Sequence, residues 1–117
     1  MVHTHAPTDV AKGWSLGPWN TNLPVAVGYA SAGVDEPHRH RRITEIYLVA
    51  SGTAEIRVGA ETIVLAPHDV LVVVPGEAHT FLASSHDYFH FVLHVPALPP
   101  AEAAADKAPV ARVDLGL

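Results

Sequence analysis

Between residues 23 and 95 the chain is a succession of short apolar runs cut by turn residues, and nothing before residue 100 repeats with the 3.6-residue period of a helix. Strands at such spacing restrict the chain to an all-β sandwich or barrel. The first run, 23–30, carries Val25, Val27 and Tyr29 on one face, and Gly33 with Asp35-Glu36-Pro37 breaks it. Residues 43–50 follow, stopped by Ser51-Gly52. The segment 53–58 alternates, with Glu55 and Arg57 opposed to Ile56 and Val58, and Gly59-Ala60-Glu61 turns it into 62–65 as a hairpin. Pro67-His68-Asp69 precedes 70–74, Pro75-Gly76-Glu77 precedes a strand starting at His79, and Ser84-Ser85-His86-Asp87 precedes 88–95. Residues 46–49 and 70–74 are apolar on both faces. Such strands need one face inside and the other against a second sheet or subunit, so self-association is expected.

A length of 117 residues suits a single domain with its own core. We divide it into an N-terminal arm, 1–22, able to supply an edge strand, a barrel at 23–95, and a Pro/Ala-rich C-terminal extension at 96–117. Pro96, Pro99, Pro100 and Pro109 frame one or two helical turns at 101–107. The extension reads as loosely ordered, with 110–113 as the segment that could swap between subunits as a strand. Cysteine is absent, which excludes disulfides, thiolate zinc sites and a cysteine nucleophile. A formal charge of −5 argues against nucleic acid as a partner. No apolar run approaches the roughly 20 residues of a membrane span, and Pro7, Asp9 and Lys12 interrupt any signal-like core. The expected location is the cytoplasm.

Nine histidines is the compositional oddity. His3 and His5 sit on the arm and His86 in a turn, where solvent is the expected environment. His38 and His40 differ, because alternation along a strand sends both to one side and Arg39 to the other. Glu45 heads the next strand and shares its face with Tyr47 and Val49. Antiparallel pairing of these two strands would bring all three donors to one point. Two imidazoles and a carboxylate form a set that borderline divalent metals accept. A further arm comes from Pro75-Gly76-Glu77-Ala78-His79, a turn and then a histidine at the first position of a strand.

The spacing HxH, four residues, Glu, six residues, Gly is met by His38, His40, Glu45 and Gly52. It resembles the first motif of the cupin superfamily, and Gly76-x-x-His79 resembles the second. The chain differs from the family at turn positions, with Gly33 displaced from Ala32, His68 for a glycine, Val74 for a proline and Ala83 for an asparagine. The resemblance covers residues 25–95. It implies a double-stranded β-helix (jelly-roll) barrel in which His38, His40, Glu45 and His79 hold one divalent transition metal, Fe(II), Mn(II), Ni(II), Co(II) or Zn(II). It also implies a small-molecule substrate or ligand inside the barrel and, since cupins are commonly dimers, a homodimer.

His90 and His94 share a face with Val92 on the last strand, opposite Phe89, Phe91 and Leu93. With Tyr47 they are the candidates for proton transfer near a metal. Arg39, Arg41 and Arg42 could steer an anion. Four ligands on a six-coordinate ion leave two positions open, as catalytic sites require. The first expectation is therefore a dioxygenase acting on a small organic molecule. The alternatives are a redox-neutral isomerase, lyase or cyclase, or a barrel that binds its ligand without chemistry.

Overall fold

The computed structural model describes residues 1–32 and 36–117. The break expected at Gly33 and Asp35 lies outside these residues. The strands are β1 (Lys12–Leu16), β2 (Ala26–Ala30), β3 (His38–His40), β4 (Thr44–Ser51), β5 (Ala54–Val58), β6 (Glu61–Leu65), β7 (Val70–Val73), β8 (His79–Ser84), β9 (Phe89–Val95) and β10 (Lys107–Pro109). A helix, α1 (Pro100–Asp106), and a 3-10 turn at Arg112–Leu115 complete the chain. They form two antiparallel five-stranded sheets, ordered β1-β2-β9-β4-β7 and β10-β3-β8-β5-β6, the double-sheet arrangement of a jelly roll.

Alternation explains which residues go inside. On β4, Glu45, Tyr47 and Val49 are buried while Ile46 and Leu48 are half-buried on the outer face. Between the sheets Tyr47, Val49, Ile56, Leu65, Val73, Phe81, Tyr88 and Val92 pack as one cluster with Ala54. Each fully buried aliphatic or aromatic side chain contributes roughly 1.5–3 kcal/mol relative to exposure. The turns obey local sterics. Gly52 has φ +67°, and a Cβ there would meet the Tyr88 backbone at 2.5 Å, so a side chain is excluded twice over. His68 occupies φ +77°, a region histidine enters more readily than most non-glycine residues.

Two expectations are corrected. First, β3 and β4 do not pair. They belong to opposite sheets, because Arg41-Arg42 carries the chain across the sandwich, so His38 and His40 face Glu45 across the interior rather than along a ladder. Second, the C-terminal extension is not loose. α1 packs over the barrel, and β10 pairs with β3 in the register Lys107↔His40, Pro109↔His38. The strand therefore falls at Lys107–Pro109 rather than at 110–113, and it pairs within the chain. Within the chain one face of β7 is covered: Val73 is buried, whereas Val70 is 62% and Val72 49% exposed.

Candidate metal centre

Strand register builds the site. His38 lies opposite His79 across β3 and β8. In the other sheet Glu45 lies opposite His94 across β4 and β9. Directly opposed residues share a face, so donors from both sheets meet between them. Glu45 Oε1 lies 2.8 Å from His79 Nε2, 3.2 Å from His40 Nε2 and 3.8 Å from His38 Nε2. Its Oε2 lies 3.0 Å from His94 Nε2 and accepts a hydrogen bond from the Tyr47 hydroxyl at 3.0 Å. The donors His38, Glu45 and His79 fall within 4.8 Å of one another, and so do those of His40, Glu45 and His94, two sets of a size that could hold a metal ion.

The tautomers test whether an ion fits. His38 Nδ1 is 2.8 Å from the Glu36 carbonyl, and His79 Nδ1 is 2.9 Å from the Glu77 carbonyl. His40 Nδ1 is 3.3 Å from Asp106 Oδ2. Each of these oxygens can only accept, so each Nδ1 carries the proton and each neutral ring offers its Nε2 lone pair inward. Those lone pairs face a carboxylate oxygen that also has no proton to give. Such an arrangement is favourable only around a shared cation, a proton or a metal ion. Burial pushes the Glu45 carboxyl up, but the surrounding imidazoles of His38, His40, His79 and His94, which donate to it whenever they take up a second proton, outweigh burial and hold the group far below the usual carboxylate range. Three imidazoles and an ionised carboxylate in a buried pocket fit a borderline divalent ion.

A cavity of about 610 Å³ adjoins the cluster. Ala26 and Ala30 on β2 and Ala103 and Ala104 on α1 leave the space, while Ile43, Phe81, Val92 and Leu98 give it apolar walls. His90 also lines it. Its Nδ1 lies 2.7 Å from the Tyr88 hydroxyl, and its ring stacks on Phe81 at 5.3 Å. Burial pushes the Tyr88 phenol well above its ordinary value, so it stays protonated and can donate to Nδ1. Where it does so, the neutral His90 ring carries its own proton on Nε2.

A family model described as a cupin domain matches residues 26–95. The chain belongs to the cupin family. The uncharacterized protein SCO3923 of Streptomyces coelicolor is 35% identical over 75 residues, which cover 64% of this chain and 71% of that protein. Among solved structures, Pac13 of Streptomyces, described as a nucleoside dehydratase, aligns with TM-score 0.68 at 16% identity over 86% of this chain and 78% of its own. KdgF from Halomonas sp. aligns with TM-score 0.65 at 21% identity, over 78% and 81% of the two chains. The polyketide cyclase RemF from Streptomyces resistomycificus aligns with TM-score 0.67 at 15% identity, over 86% and 70%. At such identities these likenesses describe the fold.

In this cupin all four histidine and glutamate positions of the motif come together, and His94 joins them at Glu45 Oε2. Tyr47 touches the carboxylate, and His90 stands apart at the cavity wall. His3, His5, His86, Arg39, Arg41 and Arg42 are exposed, and none lines the cavity. Asp106 was missed. It is 4% exposed, and besides His40 it accepts backbone N–H bonds from Arg42 at 2.9 Å and Ile43 at 3.2 Å. Two helical turns in an alanine-rich tail give no hint of that role. Lys12, Trp14, Trp19 and Lys107, which also line the cavity, were missed because they lie outside the strand-rich body.

Proposed function

We propose that this cupin is a metal-dependent enzyme that performs redox-neutral proton-transfer chemistry, of the lyase, isomerase or cyclase kind, on a small organic molecule. The observation that carries the reading is the convergence of His38, His40 and His79, each with Nδ1–H tied to an oxygen, on one Glu45 carboxylate beside a cavity. The same four residues would hold the ion, with His94 as a fifth donor. When bound, the ion supplies Lewis-acid stabilisation of negative charge developing on a substrate oxygen.

The chain's own groups supply the rest. His90, with the Tyr88 hydroxyl behind its Nδ1, lines the cavity and would donate a hydrogen bond from Nε2 to a substrate oxygen that gains negative charge. Tyr47 donates to Glu45 Oε2 and holds the carboxylate in place. Ile43, Val92 and Leu98 exclude water. A positioned proton-bearing group beyond the donor set, His90, favours chemistry over simple binding. A dehydratase and a cyclase among proteins of the same fold are in keeping with that class.

A dioxygenase is the second reading. It needs room for substrate and dioxygen together, which four donors leave on a six-coordinate ion and five do not. His94 beside Glu45 therefore favours the redox-neutral class.

The test begins with elemental analysis of protein purified without a metal-affinity step. Reconstitution with Zn(II), Mn(II), Ni(II), Co(II) and Fe(II) follows, assayed on enolisable and hydroxylated small molecules with and without air. Anaerobic turnover with a redox-inert ion is expected. Turnover that requires iron and consumes oxygen would establish the dioxygenase instead, and no turnover with any ion would leave only a binding role.

We infer also that a second copy of the chain covers the outer face of the first sheet. Val70 and Val72 on the edge strand β7 continue through Ile46 and Leu48 to Phe91 and Leu93 on β9, since these residues are directly opposed in the ladders. Water is a poor neighbour for such an area.

A further inference from the structure

The cavity has two ends of different chemistry. Its inner end is the imidazole and carboxylate cluster. Its outer end, where the lining residues are exposed, is made by Lys12, Trp14 and Trp19 from the N-terminal side and Lys107 from the C-terminal side. All four lie outside residues 26–95, the span shared with the family.

We propose that this outer end is a subsite for a flat aromatic or conjugated ring bearing an anionic group, and that such molecules are the substrate class of the enzyme inferred above, on which reading the substrate assignment rests.

Register aims the side chains. Trp14 lies opposite Gly28 and Lys12 opposite Ala30, so both project to the inner face that carries Ala26. Lys107 lies opposite the inward-facing His40. Each of the two edge strands flanking the opening, β1 and β10, thus contributes one ammonium group.

The indoles are seated by glycines. A Cβ at Gly28 would come within 3.0 Å of Trp14 Cε3 and Cζ3, and one at Gly17 within 2.2 Å of Trp19 Cη2 and Cζ3. A side chain at Gly17 would displace the Trp19 ring, and one at Gly28 would press the Trp14 ring outward by a few tenths of an ångström, so both rings lie close on glycine backbone. Trp14 then meets the His94 ring edge-on, with centroids 4.6 Å apart, which links the platform to the donor cluster. Yet Trp14 is 46% and Trp19 52% exposed. An indole held in place but left half wet offers its face to an incoming ring.

Charge fixes the rest of the class. Among the described residues lining the cavity Glu45 is the sole carboxylate, and imidazoles already surround it. A chain of formal charge −5 therefore surrounds one opening with two lysines and no free acid among those described. That local sign inversion favours an anion. The apolar walls between the two ends exclude a highly hydroxylated ligand, which would lose hydration there without replacement.

The test is isothermal titration calorimetry on EDTA-treated full-length protein with three probes: 2-naphthoate, the neutral 2-naphthalenemethanol, and the non-planar cyclohexanecarboxylate. We expect saturable binding of 2-naphthoate, at least tenfold tighter than either other probe. Trp14→Leu should lower 2-naphthoate affinity at least tenfold and change cyclohexanecarboxylate less than twofold. The Lys12→Met/Lys107→Met pair should lower 2-naphthoate affinity at least tenfold and spare 2-naphthalenemethanol. Trp19→Leu, beyond the end of β1, serves if Trp14→Leu loses its native circular dichroism. Equal affinity for all three probes, no saturable 2-naphthoate binding, or an unchanged pattern in the folded variants overturns the subsite. Elemental analysis of the untreated protein separates the two readings. Metal without probe preference sinks the subsite alone, and probe preference without metal sinks the metal enzyme alone.

Discussion

His40 Nδ1 and Asp106 Oδ2 lie 3.3 Å apart across 66 positions of sequence, and through this contact the last helix reaches a candidate metal ligand. Groups that orient a ligand histidine typically change metal affinity 10–100-fold when removed. Asp106→Asn, which preserves size, should therefore weaken Zn(II) or Mn(II) binding about tenfold. Asp106→Ala should also unfold more easily by about 1–3 kcal/mol for each backbone N–H left unpaired, at Arg42 and Ile43. Calorimetric titration and urea unfolding measure the two effects. Unchanged metal affinity in Asp106→Asn would remove the residue from the site's support.

Acid sensitivity should come from the same cluster. Burial raises the Glu45 carboxyl, and the four imidazoles lower it more, so the folded group ionises well below its unfolded value of about 4.3. A depressed carboxylate stabilises the fold fully above that unfolded value and loses its contribution as pH falls through the window beneath it. The Asp106 carboxyl has the same sign: burial raises it, and hydrogen bonds from Ile43, Arg42 and His40 lower it further. Metal-free protein should thus lose stability steeply below about pH 4, and Glu45→Gln should flatten that limb. Urea midpoints between pH 3 and 7 in EDTA report it. Parallel acid limbs in the two proteins would contradict the assignment.

Tyr88→Phe removes the donor that fixes His90 and leaves Nδ1 buried without that bond. Expected is a loss of about 1–3 kcal/mol in stability. The readout specific to positioning is the His90 side-chain nitrogen spectrum, in which Nδ1 and Nε2 protonated forms should become mixed. A single unchanged tautomer would show that Tyr88 does not set it.

Val72→Glu places a charge in the exposed apolar row of β7. Light scattering after size exclusion should show wild type at twice the chain mass and the variant at the chain mass, with the same circular dichroism. Wild type already at the chain mass would remove the second copy.

Much of this architecture is legible in the sequence because the strands obey a two-residue period. The hairpin of β5 and β6 follows from Gly59-Ala60-Glu61, and Glu45, Tyr47 and Val49 share the inner face as their spacing requires. The motif histidines and glutamate converge for the same reason. What the sequence hides is partner choice. Nothing in Pro37 to Thr44 says that the chain crosses between sheets, because Arg41-Arg42 reads equally well as a hairpin turn or a crossing. Asp106 and Lys107 are equally opaque, since an alanine-rich helix and three paired residues leave no periodic trace. His94 could be placed on a face but not in a sheet order, and that order is what sets it opposite Glu45.

The division of donors between the sheets has a mechanical consequence. Glu45 and His94 sit on one leaf, and His38, His40 and His79 on the other. Whatever cation they grip would rivet the leaves together and resist their sliding apart. Saturation should therefore slow amide exchange far from the donors, on β2 and β5 alike, by the amount that ligand concentration over Kd dictates. The barrel would gain rigidity as a whole, as a book does when its two covers are clasped.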